Sequence, residues 1–226
     1  MTELPAVSAP ARIPTPGQLG KAPLPPQPSK THDASRPHCL DTGVGISFAH
    51  VNRLDLLINF LTGRLQAVDD VVDEVLERAT GTLEAGHDHV DRLVKVACQR
   101  VRTCITGSDI VTVTVWGASH ERIRALMRRM RELDPSPNLG KHRGEAATIA
   151  YAESLRPRGI ILTNDGAAQK VAQESGVPWH SSASLLRLMV RGGYVSNVEA
   201  FELFTSMDSV SGCAGPRPNN PDWFTR

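Results

Sequence analysis

Four carboxylates stand where strand and helix patterning would deliver them to one place. Asp41 closes the short stretch His38-Cys39-Leu40-Asp41, and Glu74 lies in Val71-Val72-Asp73-Glu74-Val75-Leu76. Glu145 opens the helical pattern Gly144-Glu145-Ala146-Ala147-Thr148-Ile149-Ala150, and Asp165 ends the β-like run Ile160-Ile161-Leu162-Thr163-Asn164-Asp165. Parallel α/β sheets bind ligands beyond the carboxyl ends of their strands, where Asp41 and Asp165 are both expected. Clustered carboxylates are hard oxygen donors that suit Mg²⁺ or Mn²⁺. An ion held this way against a phosphodiester offsets its negative charge and activates a bound water. The expected chemistry is metal-assisted hydrolysis.

Each acid also has a plainer use. Asp41 precedes Thr42-Gly43, and Asp165 precedes Gly166 and a helical pattern, so either can cap a turn or helix. The pair carries more weight, because acids at the ends of neighbouring strands would face each other. Glu74 belongs to a very acidic helix with Asp69, Asp70, Asp73 and Glu77, most of which should be solvated. Val71, Val72, Val75 and Leu76 supply its buried stripe, and Glu74 borders that stripe, with Asp73 as the alternative. Glu145 falls in the first turn of its helix, where the macrodipole favours a negative charge in any case.

The elements that must position these acids follow from apolar periodicity. A short strand is expected over 37–41, a helix over 46–61 stopped at Gly63, a brief strand over 65–68, and a helix to about residue 79 capped by Asp69 or Asp70. Helical spacing returns over 87–104. The β-branched run over 109–116 predicts a strand, and Ser119 begins a helix to about residue 133. After a Pro-containing loop come a helix over 144–155, a buried strand over 159–163 and a helix over 166–175. A last short strand at 177–179 and two helices, 181–190 and 197–207, complete the pattern. This alternation predicts one α/β domain with a mainly parallel sheet. Residues 1–36 are rich in Pro, Ala, Ser and Gln, and read as a disordered arm. The domain is expected over 37–208, with 82–108 as a helical insertion and 209–226 as an irregular tail.

Composition narrows the function classes. The net charge of the 226-residue chain is only +1, so any nucleic-acid surface must be local. No run of about 18 apolar residues occurs and the N-terminus has no apolar leader core, so a cytoplasmic protein with no membrane span is expected. Cys39, Cys98, Cys104 and Cys213 form no Cys-x-x-Cys, which argues against a zinc knuckle or redox pair. His87 and His89 lack a third ligand in view and read as a surface turn. Trp116 and Trp179 read as packing residues, and 4% aromatic residues leave little for base stacking.

The order and setting of the four acids resemble a PIN domain, a metal-dependent ribonuclease fold widespread in bacterial toxins. Three segments carry the resemblance between about residues 39 and 207. The first is Cys39-Leu40-Asp41-Thr42-Gly43 with Arg53-Leu54-Asp55-Leu56-Leu57 in the following helix. The second is the acidic helix around Glu74. The third and most specific runs Gly144-Glu145-Ala146-Ala147-Thr148-Ile149-Ala150, Ile161-Leu162-Thr163-Asn164-Asp165, then Ala172 to Gly176-Val177. Ser184-Leu185-Leu186-Arg187 and Gly192-Gly193 resemble the ending of one compact bacterial PIN-like group.

The resemblance implies a three-layer-like sandwich with a mainly parallel central sheet flanked by helices. It implies that Asp41, Glu74, Glu145 and Asp165 are catalytic ligands of one or two Mg²⁺ or Mn²⁺ ions, with Asn164 adjusting the site by hydrogen bonding. It implies an RNA substrate, and for toxin-type members an antitoxin protein as partner; homodimers occur in the family. Two features depart from the family pattern. Glu145 stands where many members have Asp, and 82–108 is longer than a minimal domain needs. RNA also requires a positive approach surface. Arg124 and Arg128 share a helix face with Arg131, and Lys141 and Arg143 immediately precede Glu145, so these cations are the candidate phosphate contacts. The rival readings are a non-catalytic PIN-like nucleic-acid or protein binding module, and an unrelated α/β ligand domain in which the acids only cap helices.

Overall fold

The stretch His38–Leu40 is buried at every position, as a central parallel strand covered on both faces requires. In the computed structural model, which describes residues 36–81, 89–115, 119–138, 140–211 and 217–225, this stretch is β1. The chain continues through α1 (Thr42–His50), α2 (Leu54–Leu61), β2 (Leu65–Val68), α3 (Asp69–Thr80), α4 (His89–Thr106), β3 (Val111–Val113) and α5 (Ser119–Leu133). It then forms α6 (Arg143–Ser154), β4 (Ile160–Leu162), α7 (Gly166–Glu174), β5 (Trp179–His180), α8 (Ser182–Arg191) and α9 (Asn197–Ser211). The five strands form one sheet in the order β3-β2-β1-β4-β5, and every pairing is parallel. Helices flank this sheet, giving the expected α/β sandwich.

The register sets up the site. His38, Cys39 and Leu40 lie opposite Ile160, Ile161 and Leu162, and the Asp41 amide continues the ladder by donating to the Leu162 carbonyl at 3.0 Å. The chain builds outward from β1 through β2 to β3, then returns to β4 on the other side of β1. The strand order therefore reverses between β1 and β4, the crevice where open α/β sheets place ligands. α6 lies across β1, β2 and β4. It is buried on most sides, with Ala146, Ala147, Thr148, Ile149, Ala150 and Ala152 inside, so small residues let it sit against the sheet.

Several elements differ from the sequence expectation. The helix expected over 46–61 is two helices, α1 and α2, because Asn52 takes a left-handed conformation (φ 55°) between them. α1 begins at Thr42, directly after Asp41; it is apolar nearly all round and offers no amphipathic period to locate its start. Neither Asp69 nor Asp70 caps α3, since Val68 precedes its first turn. β3 is shorter than expected, and Trp116 lies outside the described residues. β5 is shifted to Trp179–His180. α4, from the stretch read as an insertion, buries Ala97, Cys98 and Val101 and packs on α1 and α3. The arm over 1–35, His87 and Cys213 lie outside the described residues.

The tail is not irregular throughout. Pro221–Phe224 forms a 3-10 turn packed on α8 and α9, with Phe224 fully buried and Arg187 5.4 Å over the Trp223 ring. Truncating a buried Phe leaves a cavity that costs about 3–5 kcal/mol. Phe224→Ala should lower the urea midpoint accordingly; an unchanged midpoint would mean that the turn is not part of the cooperative core.

Candidate metal centre

Asp41 is only 4% exposed, although a lone carboxylate strongly prefers water. Its Oδ2 accepts a 2.9 Å hydrogen bond from Thr163 Oγ1, at the end of β4. Burial raises its pKa first, followed by the charge of Glu145; Glu74 and Asp165 also raise it, while the Thr163 hydrogen bond opposes. Glu145 is likewise raised by burial, and by the charges of Glu74 and Asp165. The four carboxylates expected from the sequence are thus close enough to act on one another electrostatically.

Each acid is held by a specific element. Asp165 precedes α7 and caps it, its Oδ1 accepting from the Ala168 amide at 2.7 Å. The plainer reading of Asp165 is therefore present alongside the site reading. Glu74 projects from α3, accepts from Thr42 Oγ1 at 2.7 Å and pairs with Arg78 at 2.6 Å. Glu145 lies in the first turn of α6, whose approach depends on Gly144. A methyl group at residue 144 would sit 3.3 Å from Val71 Cγ2 and 3.4 Å from Glu74 Oε2. A side chain there would push α6 away from Glu74. Asn164 donates to Ser47 Oγ and Ser182 Oγ at 3.0 Å each, and accepts from the Ser182 amide at 2.9 Å. It ties the end of β4 to α1 and α8, and these bonds do not reach the carboxylates.

Among the described residues, one set of three candidate ligand atoms lies within 4.8 Å of one another: Asp134, His142 and Asp165. This group could hold a metal ion, and it shares only Asp165 with the four expected acids. Asp134 falls in the Pro-containing loop expected after residue 133, and His142 stands between Lys141 and Arg143. Asp134 follows the last turn of α5, and His142 precedes α6 in a left-handed conformation (φ 69°), so neither lies on a periodic face. The only sequence signal was the spacing of Lys141, His142 and Arg143 just before Glu145.

The basic residues divide into two places. Lys141 pairs with Asp134 at 2.7 Å, and Arg143 pairs with Asp70 at 2.6 Å. Both line a cleft of about 640 Å³ that also takes in Glu74 and Glu145. Arg124 and Arg128 are exposed on α5, about 15 and 9 Å along the helix from Asp134 at 1.5 Å per residue. They stand apart from the cleft. Burial pushes the Cys39 thiol up to about 12 and the Cys98 thiol to about 11, which removes both as nucleophiles near neutral pH. No described helix is long and apolar enough to cross a membrane. Comparison with known proteins returned no matching family model, no matching curated protein and no matching solved structure.

The acids bear on stability directly. A raised folded-state pKa means that the folded chain holds its proton to higher pH than the unfolded chain does. The contribution of Asp41 to stability is therefore greatest below the ordinary Asp value of 3.8 and is lost as pH rises through the raised value. Asp41→Asn keeps an acceptor for Thr163 and removes the charge. In EDTA it should melt about a few degrees above the unsubstituted protein near pH 7.5, with the gap closing towards pH 4. A variant that melts lower at neutral pH would refute the repulsion.

Proposed function

We propose that this chain is a PIN-like, metal-dependent endoribonuclease centred on Asp41, Glu74, Glu145 and Asp165. The observation that carries the reading is Asp41: a carboxyl group buried at a strand end beside the reversal of strand order, its pKa raised first by that burial and then by the charges of Glu145, Glu74 and Asp165. The donor chemistry fits a divalent ion. Buried like charges destabilise the site alone and are relieved by a cation, and oxygen donors suit Mg²⁺ or Mn²⁺. When bound, the ion would offset phosphodiester charge and make a bound water more acidic.

The chain's own groups have distinct tasks in this reading. Thr163 holds Asp41 in place, and the capping bond fixes Asp165 through Oδ1, leaving Oδ2 for a ligand. Thr42 and Arg78 orient Glu74. A carboxylate of the cluster can also take the proton of the attacking water. Lys141 and Arg143, at the cleft, would exchange carboxylate partners for phosphate oxygens. An RNA substrate, a role as the toxin of a toxin–antitoxin pair and an antitoxin partner rest on the sequence resemblance alone. A second reading, a non-catalytic binding module, is favoured by one observation: the tight donor group contains only one of the four acids.

The test is cleavage of a mixed-sequence single-stranded RNA. Cleavage should require Mg²⁺ or Mn²⁺, stop with EDTA and fall at least about 100-fold in Asp41→Asn. Metal binding without cleavage would leave the binding module. Replacing both Lys141 and Arg143 with Ala should weaken RNA binding more at low salt than at high salt. An equal effect at both salt concentrations would make these cations bystanders.

A further inference from the structure

His142 contains a buried polar atom that the carboxylate cluster does not use. Its side chain is 0% exposed, and its Nδ1 has no hydrogen-bond partner. Its Nε2 makes only long contacts, 3.4 Å to the Asp134 carbonyl oxygen and 3.6 Å to the Asp134 carboxylate. Buried imidazole nitrogens are costly when unpaired, and each such atom calls for an explanation. The nitrogen facing Asp134 is Nε2, and the ring offers one nitrogen within 4.8 Å of carboxylate oxygens from both Asp134 and Asp165. Donors on a single ion stand roughly 3–4 Å apart, so side-chain adjustments of about an ångström would complete the group.

A positive charge is already favoured at this spot. The Lys141 ammonium stands 2.7 Å from Asp134 Oδ2. Lys141 is 38% exposed, so its flexible chain can leave for solvent when another cation arrives. Imidazole is a borderline donor that suits Zn²⁺ and its neighbours, whereas Mg²⁺ keeps oxygen ligands and water.

We propose that Asp134, His142 and Asp165 form a second divalent site, adjoining the carboxylate cluster, that takes a transition ion of the Zn²⁺ class through the His142 imidazole and displaces Lys141. It rests on the proposed function only in sharing Asp165 with that cluster. The two sites divide the metals by donor type. The all-oxygen cluster accepts Mg²⁺, while the imidazole-bearing site discriminates against it.

The test is calorimetric titration of the full chain with ZnCl₂ and, separately, MgCl₂. His142→Asn removes the imidazole and suits the left-handed backbone, which Asn tolerates. It should weaken one Zn²⁺ equivalent by at least about 10-fold and change Mg²⁺ binding by less than about threefold. Lys141→Ala should strengthen the same Zn²⁺ equivalent by removing the resident cation. Equal losses of Zn²⁺ and Mg²⁺ binding in His142→Asn, or no loss of either, would overturn the proposal. If His142→Asn does not fold, Asp134→Asn reads the same loss from a half-exposed position. Glu74→Gln separates the two sites. It should weaken Mg²⁺ and spare the Zn²⁺ equivalent; unchanged Mg²⁺ binding would remove the carboxylate cluster while leaving the imidazole site standing.

Discussion

The parallel pairing of β1 with β4 is the constraint on which the site depends. Three residue pairs, His38 with Ile160, Cys39 with Ile161 and Leu40 with Leu162, fix the register. Shifting it by one residue would turn every side chain to the other face of the sheet. Asp41, Thr163 and Asp165 would then no longer meet, and the 2.9 Å bond between Thr163 and Asp41 would be lost. Asn164 reinforces the register from outside the ladder, because its bonds to Ser47 and Ser182 join the end of β4 to helices that follow β1 and β5. A buried amide with its donors and acceptor engaged is a specific fastener, since a slipped pairing would leave those groups unsatisfied.

That geometry comes at an electrostatic cost. Asp41 and Glu145 are both raised in pKa by burial, and each feels the remaining acids. Nothing in the core requires such a cluster. Apolar residues at these positions would carry no such repulsion. The surrounding structure offsets part of the cost with Thr42 and Arg78 on Glu74 and an amide on Asp165. Carboxylates with burial-raised pKa values beside a strand-order reversal make this a candidate ligand site.

Much of this was legible because it depends on local patterning. Asp41 and Asp165 follow short apolar strands, and Glu74 borders a valine stripe, so strand and helix patterning points to all three. The contributions of Asp134 and His142 were not legible. Both lie between elements, where no period constrains direction, and His142 adopts a backbone conformation unusual for a bulky residue. The division of α1 from α2 was hidden for a related reason, since an almost wholly buried helix has no polar face to mark its end. Two ion pairs of the basic residues escaped sequence reading because their partners are distant in the chain. Arg143 meets Asp70 across the cleft from another helix, and Arg129 meets Glu174. A run of basic residues thus reads as a free anion-binding surface until its acids are located.

Those pairings determine the sign of the cleft. Its walls carry five acids, Asp70, Asp73, Glu74, Glu77 and Glu145, against three bases, Arg78, Lys141 and Arg143. With all of them ionised, the balance is negative, and each of the three bases is already committed to a carboxylate. Rim cations in that state draw a polyanion inward less strongly, because every phosphate contact they make releases a carboxylate that repels it. Divalent charge added among the acids alters both terms at once. There it would offset the excess of acids, and an ion at the proposed Asp134, His142 and Asp165 site would compete with Lys141 for Asp134. The ion pairs of the basic rim would then act as the link between cation binding and anion binding. An anionic chain would be admitted only after the cation is in place.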